Sequence, residues 1–233
     1  MNGTMYKKVG HSQSITRAIP LICLLCGVAG SVDATAYLLC GQVFVANMTG
    51  GTVLLAISLL QRKMSEAALR GGLVAAFLAG VMVAHLLARI DREPLTKRAR
   101  IFVLGIESIV LLMLAWKSAG ADAHLLLVLL AFVLGAQNSA FQSIGGLHLN
   151  TTFITGNLEK FGEAITESRD SLPRAGAFLF SWVGYAGGAL LGAIGARELP
   201  GHGFLLPTIL CAASVAVVAL MPEDLEAPRS ARL

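Results

Sequence analysis

The sequence predicts an all-α integral membrane protein: about six transmembrane helices forming an internal, inverted repeat, with two short broken or re-entrant helices at paired Thr-Gly motifs. Three observations carry this expectation. The first is composition. Of 233 residues, 55% are hydrophobic and 14% charged, with mean hydropathy +0.72, whereas a soluble domain carries roughly 25% charged residues. At ~20 residues per span, the chain has room for about six to eight segments and no separate soluble catalytic domain. The second is a repeat between the two halves, and the third is a pair of polar, glycine-containing interruptions at matched positions in those halves.

Taken in order, residues 1–17 read as a polar cytoplasmic segment with no cleavable leader pattern. From Ala18 to Gln61 Asp33 is the sole charge. This stretch is too long for one span, and it divides into a helix at Pro20–Leu39, an irregular segment at Cys40–Thr49 and a short apolar helix at Gly50–Leu60, closed by Arg62 and Lys63. Gly72–Leu87 and Ile101–Trp116 read as ordinary spans on either side of a charged loop, Arg89–Arg100. The second half, 123–222, mirrors the first, 18–117. It has a span at His124–Phe141, a polar stretch at Gln142–Thr155, a charged amphipathic segment at Asn157–Ile165 and spans at Ala175–Ile194 and Phe204–Met221. Pro173, Pro200 and Pro222 mark helix borders. Residues 223–233 form a polar tail.

The net charge of +4 and pI near 9.0 fit basic residues flanking spans. They do not indicate nucleic acid, because basic and aromatic residues are not interleaved as a nucleic-acid groove requires. Cys23, Cys26, Cys40 and Cys211 all lie in apolar stretches, so the Cys23-x-x-Cys26 spacing reads as part of a helix rather than as a redox or metal site. No H-E-x-x-H, G-x-S-x-G, Walker loop or zinc spacing is present. The chain is therefore expected to be non-enzymatic and to need no cofactor.

The repeat has an offset of 105, as from Gly30 to Gly135. Gly30-Ser31-Val32-Asp33-Ala34 aligns with Gly135-Ala136-Gln137-Asn138-Ser139 and Gly41 with Gly146. After one inserted residue, Thr49-Gly50-Gly51 aligns with Thr155-Gly156-Asn157. Several matches in register, each at the same structural break, point to duplication. If both Thr-Gly segments re-enter the membrane, each half has an odd number of spans and the halves are inverted. If both cross, the halves are parallel and the dense basic loop Arg89–Arg100 is exported, which the positive-inside rule disfavours. Glu159, Lys160 and Glu163 likewise disqualify Asn157–Ile165 as a lipid-facing span, at several kcal/mol per buried charge. Because Gly50–Leu60 is more apolar, a seven-span asymmetric arrangement also remains open.

A charge at the depth of Asp33 costs roughly 2.5 to 3.5 kcal/mol on insertion scales, so it must face the bundle interior. It reads either as a proton or cation coupling site or as a helix–helix hydrogen bond to Asn138, its counterpart in the repeat. Gln137 and Asn138 form the neutral half of this cluster or hydrogen-bond between helices. The Thr-Gly motifs open helix N-termini, whose free N–H donors and half positive charge suit an anionic or polar solute. On this reading Asn47, Thr49, Gly50, Thr155, Gly156 and Asn157 join Asp33, Gln137 and Asn138 as solute-binding candidates. The plainer alternative is that the threonines and glycines only cap and turn the chain. His85, Glu107, His148 and Asn150 are weaker candidates, with Glu107 expected to snorkel or to pair with Arg100.

The combination Gly30-x-x-Asp33-Ala34, Phe44-x-Ala46-Asn47-Met48-Thr49-Gly50, Gly135-x-Gln137-Asn138 and Thr152-x-x-Thr155-Gly156-Asn157-Leu158 resembles the YoaK family of small bacterial membrane proteins, across residues 15–222. The resemblance implies a multi-span inner-membrane protein of about six helices and brings no substrate, cofactor or catalytic residue with it. Gly51 departs from the pattern where an asparagine, as at Asn157, is expected. The function expected is a small-solute transporter or channel in contact with the lipid bilayer and both termini cytoplasmic. The alternative is a non-transporting scaffold or accessory subunit.

The re-entrant topology predicts that a cysteine at Arg62→Cys is labelled by an impermeant maleimide from the periplasm and one at Lys97→Cys from the cytoplasm. Cytoplasmic labelling at position 62 would sink it.

Overall fold

The computed structural model describes residues 2–91, 96–117, 121–152, 154–167 and 169–221. Arg92 of the basic loop, Pro222 and the tail 223–233 lie outside the described residues. Among the described residues the architecture is all-α apart from one minimal hairpin. In chain order the helices are α1 (Asn2–Leu39), α2 (Met48–Leu60), α3 (Met64–Asp91), α4 (Lys97–Trp116), α5 (Ala121–Ala140), α6 (Ile154–Glu167), α7 (Leu172–Glu198) and α8 (Leu205–Leu220). Between α5 and α6, β1 (Ser143–Ile144) pairs antiparallel with β2 (Leu147–His148). Within the described residues, five helices are long and apolar enough to cross a membrane (α1, α3, α4, α5 and α7), while α2 and α8 are shorter apolar helices.

Every helix but α8 is longer than its apolar stretch alone predicts; α8, read as Phe204–Met221, is one residue shorter at each end. α1 begins at Asn2 rather than Pro20, with Pro20 inside it, and α3 begins at Met64 rather than Gly72. Apolar patterning marks the part of a helix that meets lipid or core, whereas helical hydrogen bonding continues into polar turns. Local chemistry sets several boundaries. Asn47 caps α2 by accepting from Gly50 N at 3.0 Å, Thr96 caps α4 by accepting from Ala99 N at 3.3 Å, and Pro173 sits in the first turn of α7. The breaks after α1 and α5 share a backbone feature: Gly41 and Gly146, aligned in the sequence, have φ of 81° and 80°. Glycine enters this region without the clash a Cβ would bring. The hairpin at 143–148 was not expected; it folds a stretch read only as polar and irregular.

The helices pair across the two halves. α1 packs along α7, and α3 along α5. A Cβ on Gly184 would meet Cys23 and one on Gly192 would meet Ser31, so residue numbers rise together and α1 and α7 run the same way. Gly72 faces Val128 and Gly80 faces Phe132 and Ala136, so α3 and α5 also run the same way. By contrast α4 and α8 are antiparallel. Lys97 Nζ at the start of α4 donates to Met221 O at the end of α8 at 2.6 Å, and His202 Nδ1 before α8 donates to Ala115 O near the end of α4 at 2.8 Å.

The core centres on α1 and α5, where Ile22, Leu25, Ala29 and Val32 meet solvent as little as Leu127, Leu130 and Leu134 do. The outer helices carry exposed apolar rows. On α3, Leu78, Met82, Leu86 and Ile90 recur every fourth residue and form one outward stripe suited to lipid.

Close backbone approach depends on glycine at the α1–α7 crossing. A Cβ on Gly188 would lie 2.0 Å from Gly27 O and 2.6 Å from Gly27 Cα, with backbone on both sides, whereas one on the adjacent Gly187 meets nothing within 4 Å. Gly188→Ala is therefore expected to lower stability by about 1–3 kcal/mol, seen as a fall in melting temperature in detergent. Gly187→Ala should leave the melting temperature unchanged.

Candidate functional site

The site is assembled by the chain reversal after α1. Gly41 and Gln42, both at positive φ, turn the chain so that Val45, Ala46 and Asn47 lie against Asp33, two turns before the end of α1. The Asp33 carboxylate accepts from three successive backbone amides: Val45 N at 2.7 Å and Ala46 N at 2.8 Å through Oδ1, and Asn47 N at 2.9 Å through Oδ2. Tyr185 Oη on α7 donates to Oδ2 at 2.8 Å. Four donors fill the carboxylate, which is 2% exposed. Asp33 therefore anchors the N-terminal approach to α2, and its partner across the bundle is Tyr185 rather than Asn138.

Asn138 performs a related task in the second half. Its Oδ1 accepts from Thr151 N at 3.0 Å and Thr151 Oγ1 at 3.3 Å, and Thr151 stands 105 residues after Ala46. Asn157 completes the hold. Its Nδ2 donates to Asn150 O at 2.7 Å and Ser181 Oγ at 3.0 Å, and its Oδ1 accepts from Asn150 N at 3.3 Å. The Gly51 departure thus has a structural counterpart. In the first half the carboxylate alone gathers three amides and Gly51 is buried near Val74 and Phe44. In the second half a neutral amide gathers fewer, and Asn157 ties the loop to α7.

These turns bring the two Thr-Gly motifs to one cavity of about 330 Å³, lined by Asn47, Thr49, Gly50, Thr152, Ile154, Thr155, Leu158, Trp182 and Tyr185. That volume lies at the lower end of the range for small-molecule sites. Residues from α2 and α6, remote in sequence, share its wall, and α7 supplies the aromatic side. Of the nine sequence candidates, Asn47, Thr49, Gly50 and Thr155 line the cavity. Asp33 lies behind Tyr185, and Asn138 behind the Thr151 turn. Gly156 and Asn157 are not among the lining residues, and Asn157 is fully buried in the contacts above.

Gln137 lies elsewhere. In the orientation that matches donors to acceptors, its amide nitrogen donates to the Glu107 carboxylate, joining α5 to α4. Glu107 is 0% exposed, so it does not snorkel to the loop; Arg100 instead places its guanidinium 5.3 Å over the Phe141 ring and donates to Ser143 O at 3.4 Å. His85 is exposed on α3, and His148 offers its carbonyl to Lys160 Nζ at 2.9 Å. Among the described residues no cluster of three or more His, Cys, Asp or Glu could hold a metal ion.

Sequence reasoning missed Tyr185, Trp182 and Arg70 as parts of this region, and placed Thr152 in the family motif without making it a solute-binding candidate. Tyr185 carried a usable signal, since a hydroxyl within an apolar span needs a partner. Arg70, 6% exposed on α3, donates to Gly41 O at 3.3 Å, Leu54 O at 3.2 Å and Ser58 Oγ, and pairs with Glu66 at 3.2 Å. It fastens α2 and the loop to α3.

What this fold and site define is a multi-span helical membrane protein with two matched turns meeting at one polar cavity. Residues 21–218 match the family described as "Protein of unknown function (DUF1275)", and the chain belongs to it. It is 32% identical over 180 residues to the UPF0700 transmembrane protein YoaK of Bacillus subtilis (strain 168), an alignment covering 70% of this chain and 79% of that relative. No solved structure matches the chain.

Asp33→Ala strands two buried amides and a part-buried one and is expected to cost at least about 3 kcal/mol, with a matching fall in melting temperature and faster proteolysis at residues 40–47. Asp33→Asn, which keeps one acceptor oxygen, should fall between it and the wild type. Equal stability of Asp33→Ala and wild type would refute the anchoring role.

Proposed function

We propose that this protein is a small-solute transporter or channel of the bacterial inner membrane, with the solute held in the cavity between the starts of α2 and α6. One observation carries the reading: both Thr-Gly turns, from opposite halves of the chain, line the same cavity with polar side chains. Broken helices meeting at the junction of two repeats are how several transporter folds build a midplane site. Polar, irregular backbone at membrane depth is tolerated where it lines such a cavity.

The arrangement we infer is six spans in two inverted halves, with α2 and α6 re-entrant and both termini cytoplasmic. Its support is threefold. The pairing of α1 with α7 matches that of α5 with α3. Arg70 donates both to Gly41, just after α1, and to Leu54 on α2, which fits α2 returning to the side on which α1 ended. The antiparallel contact between α4 and α8 fits a two-fold relation between the halves. At 16 residues, α8 would span as the shortest of the six. Asp33 enters as the residue that positions α2, not as a direct solute ligand. The reading is non-enzymatic and needs no cofactor.

A scaffold role draws on one observation: Asp33, Asn138 and Asn157 all direct hydrogen bonds into their own chain. The two readings part in purified protein in liposomes, tested for thermal stabilisation by a panel of small anions, weak acids, amines and neutral solutes. The transporter reading expects a compound that raises the melting temperature of wild type but not of Thr155→Val, and that crosses the wild-type membrane several-fold faster than protein-free liposomes. If no compound in a broad panel stabilises the protein, the solute site is refuted and the scaffold role gains.

A further inference from the structure

We propose that the solute is a small monovalent anion with a short apolar body, of the monocarboxylate class, its charged end held at the start of α6 by Thr152 and Thr155. This rests on the solute-site reading above and adds charge, valence and position to it.

The electrostatics of the two halves differ at one residue. A helix N-terminus carries about half a positive charge. At α2 that end is met by a carboxylate of the protein's own, since Asp33 binds the three amides leading into the helix. At α6 the matching residue is Asn138, which is neutral and bound to Thr151. Among the described residues the positive end of α6 therefore lacks the counter-charge that its twin possesses, and an anionic ligand supplies it.

Thr152 points to a ligand independently. It lines the cavity, is 7% exposed, and its hydroxyl has no hydrogen-bond partner among the described residues. A polar side chain with so little exposure usually has its hydroxyl paired within the protein; that of Thr152 is left accessible instead. Thr155, one turn on, presents a second hydroxyl to the same space. Across the cavity, Asn47 has its Oδ1 occupied by Gly50 N, which leaves its Nδ2 donors for a ligand.

The lining also limits the ligand. Among the described residues it contains no Lys or Arg, the residues that recognise phosphate or other multivalent anions, so a single charge is what these side chains suit. Among the described residues it contains no Asp or Glu either, and Asp33 lies behind Tyr185, so a cation finds no carboxylate of the described lining in contact. The hydroxyls of Thr152 and Thr155 place the charged group beside α6. Ile154, Leu158 and Trp182 give the remainder of the ligand an apolar wall.

The test uses full-length protein in nanodiscs titrated by calorimetry with propionate, its neutral isostere propionamide, nitrate and sulfate. Propionate is expected to bind saturably, at least tenfold more tightly than the other three. Asn138→Asp keeps an oxygen acceptor for Thr151 but installs the missing carboxylate, and it should weaken propionate at least tenfold. Thr152→Val should weaken it to a similar degree without lowering the melting temperature. If propionamide binds as tightly as propionate, the anion assignment is overturned while the solute site stands. Nitrate binding as tightly as propionate would overturn the apolar body, and equal sulfate binding the valence. Unchanged propionate affinity in Asn138→Asp would overturn the counter-charge at α6. Absence of binding by all four probes overturns the present inference, and the broader panel above then decides separately whether any solute site exists.

Discussion

A single buried carboxylate governs the geometry of this protein. In the membrane interior, backbone amides that leave a helix must find a partner within the protein, because no water is present to replace it. Asp33 supplies that partner for Val45, Ala46 and Asn47 at once. Its four hydrogen bonds allow the chain to turn back after α1 and start a new helix at the depth of Asp33 itself. The position of Thr49 and Gly50, and hence one wall of the cavity, follows from that contact. The Tyr185 hydroxyl extends the same network to α7, so the wall and the aromatic side opposite it are fixed together.

The second half reaches a similar turn by different chemistry. Asn138 accepts from one amide and one hydroxyl, while Asn157 bridges the loop to Ser181 on α7. A carboxylate accepts more hydrogen bonds than an amide oxygen, so its replacement by asparagine spreads the task over two residues. The short hairpin at 143–148 adds further support on this side, with Gly145 packed close to Ser14 and Ala18 of α1. The turn after α1 is thus gathered by a carboxylate and the turn after α5 by neutral amides.

Around these turns the bundle is held together by close small-residue contact. Backbones approach so closely along α1–α7 and α3–α5 that Gly30, Gly80, Gly135 and Gly188 admit no side chain. Dispersion and shape complementarity drive helix association in lipid, where burying apolar surface gains little over leaving it among acyl chains. The same physics accounts for the exposed leucines and methionine along α3, whose solvent is lipid.

Much of this was readable in the sequence. Hydropathy located the apolar helices, because about twenty apolar residues without charge have few other fates; the charged, amphipathic α6 and the polar first turns of α1 carried no such mark. The matched glycines, Asp33 and the Thr-Gly pairs located both breaks, because backbone conformation at positive φ and a buried charge each demand particular residue types. Partner choice was not readable. That Asp33 binds its own loop and Tyr185 while Gln137 turns away to Glu107, and that Asn157 holds a loop rather than facing the cavity, depends on helix rotation and on distances between segments more than a hundred residues apart. Periodicity along one helix carries no record of such distances. The sequence by itself determined the solvent, the helices and the two interruptions, since these are local properties of composition and backbone. Only the tertiary structure decided which polar groups face one another, since packing of α1 on α7 and α3 on α5 sets which side of each helix meets the cavity.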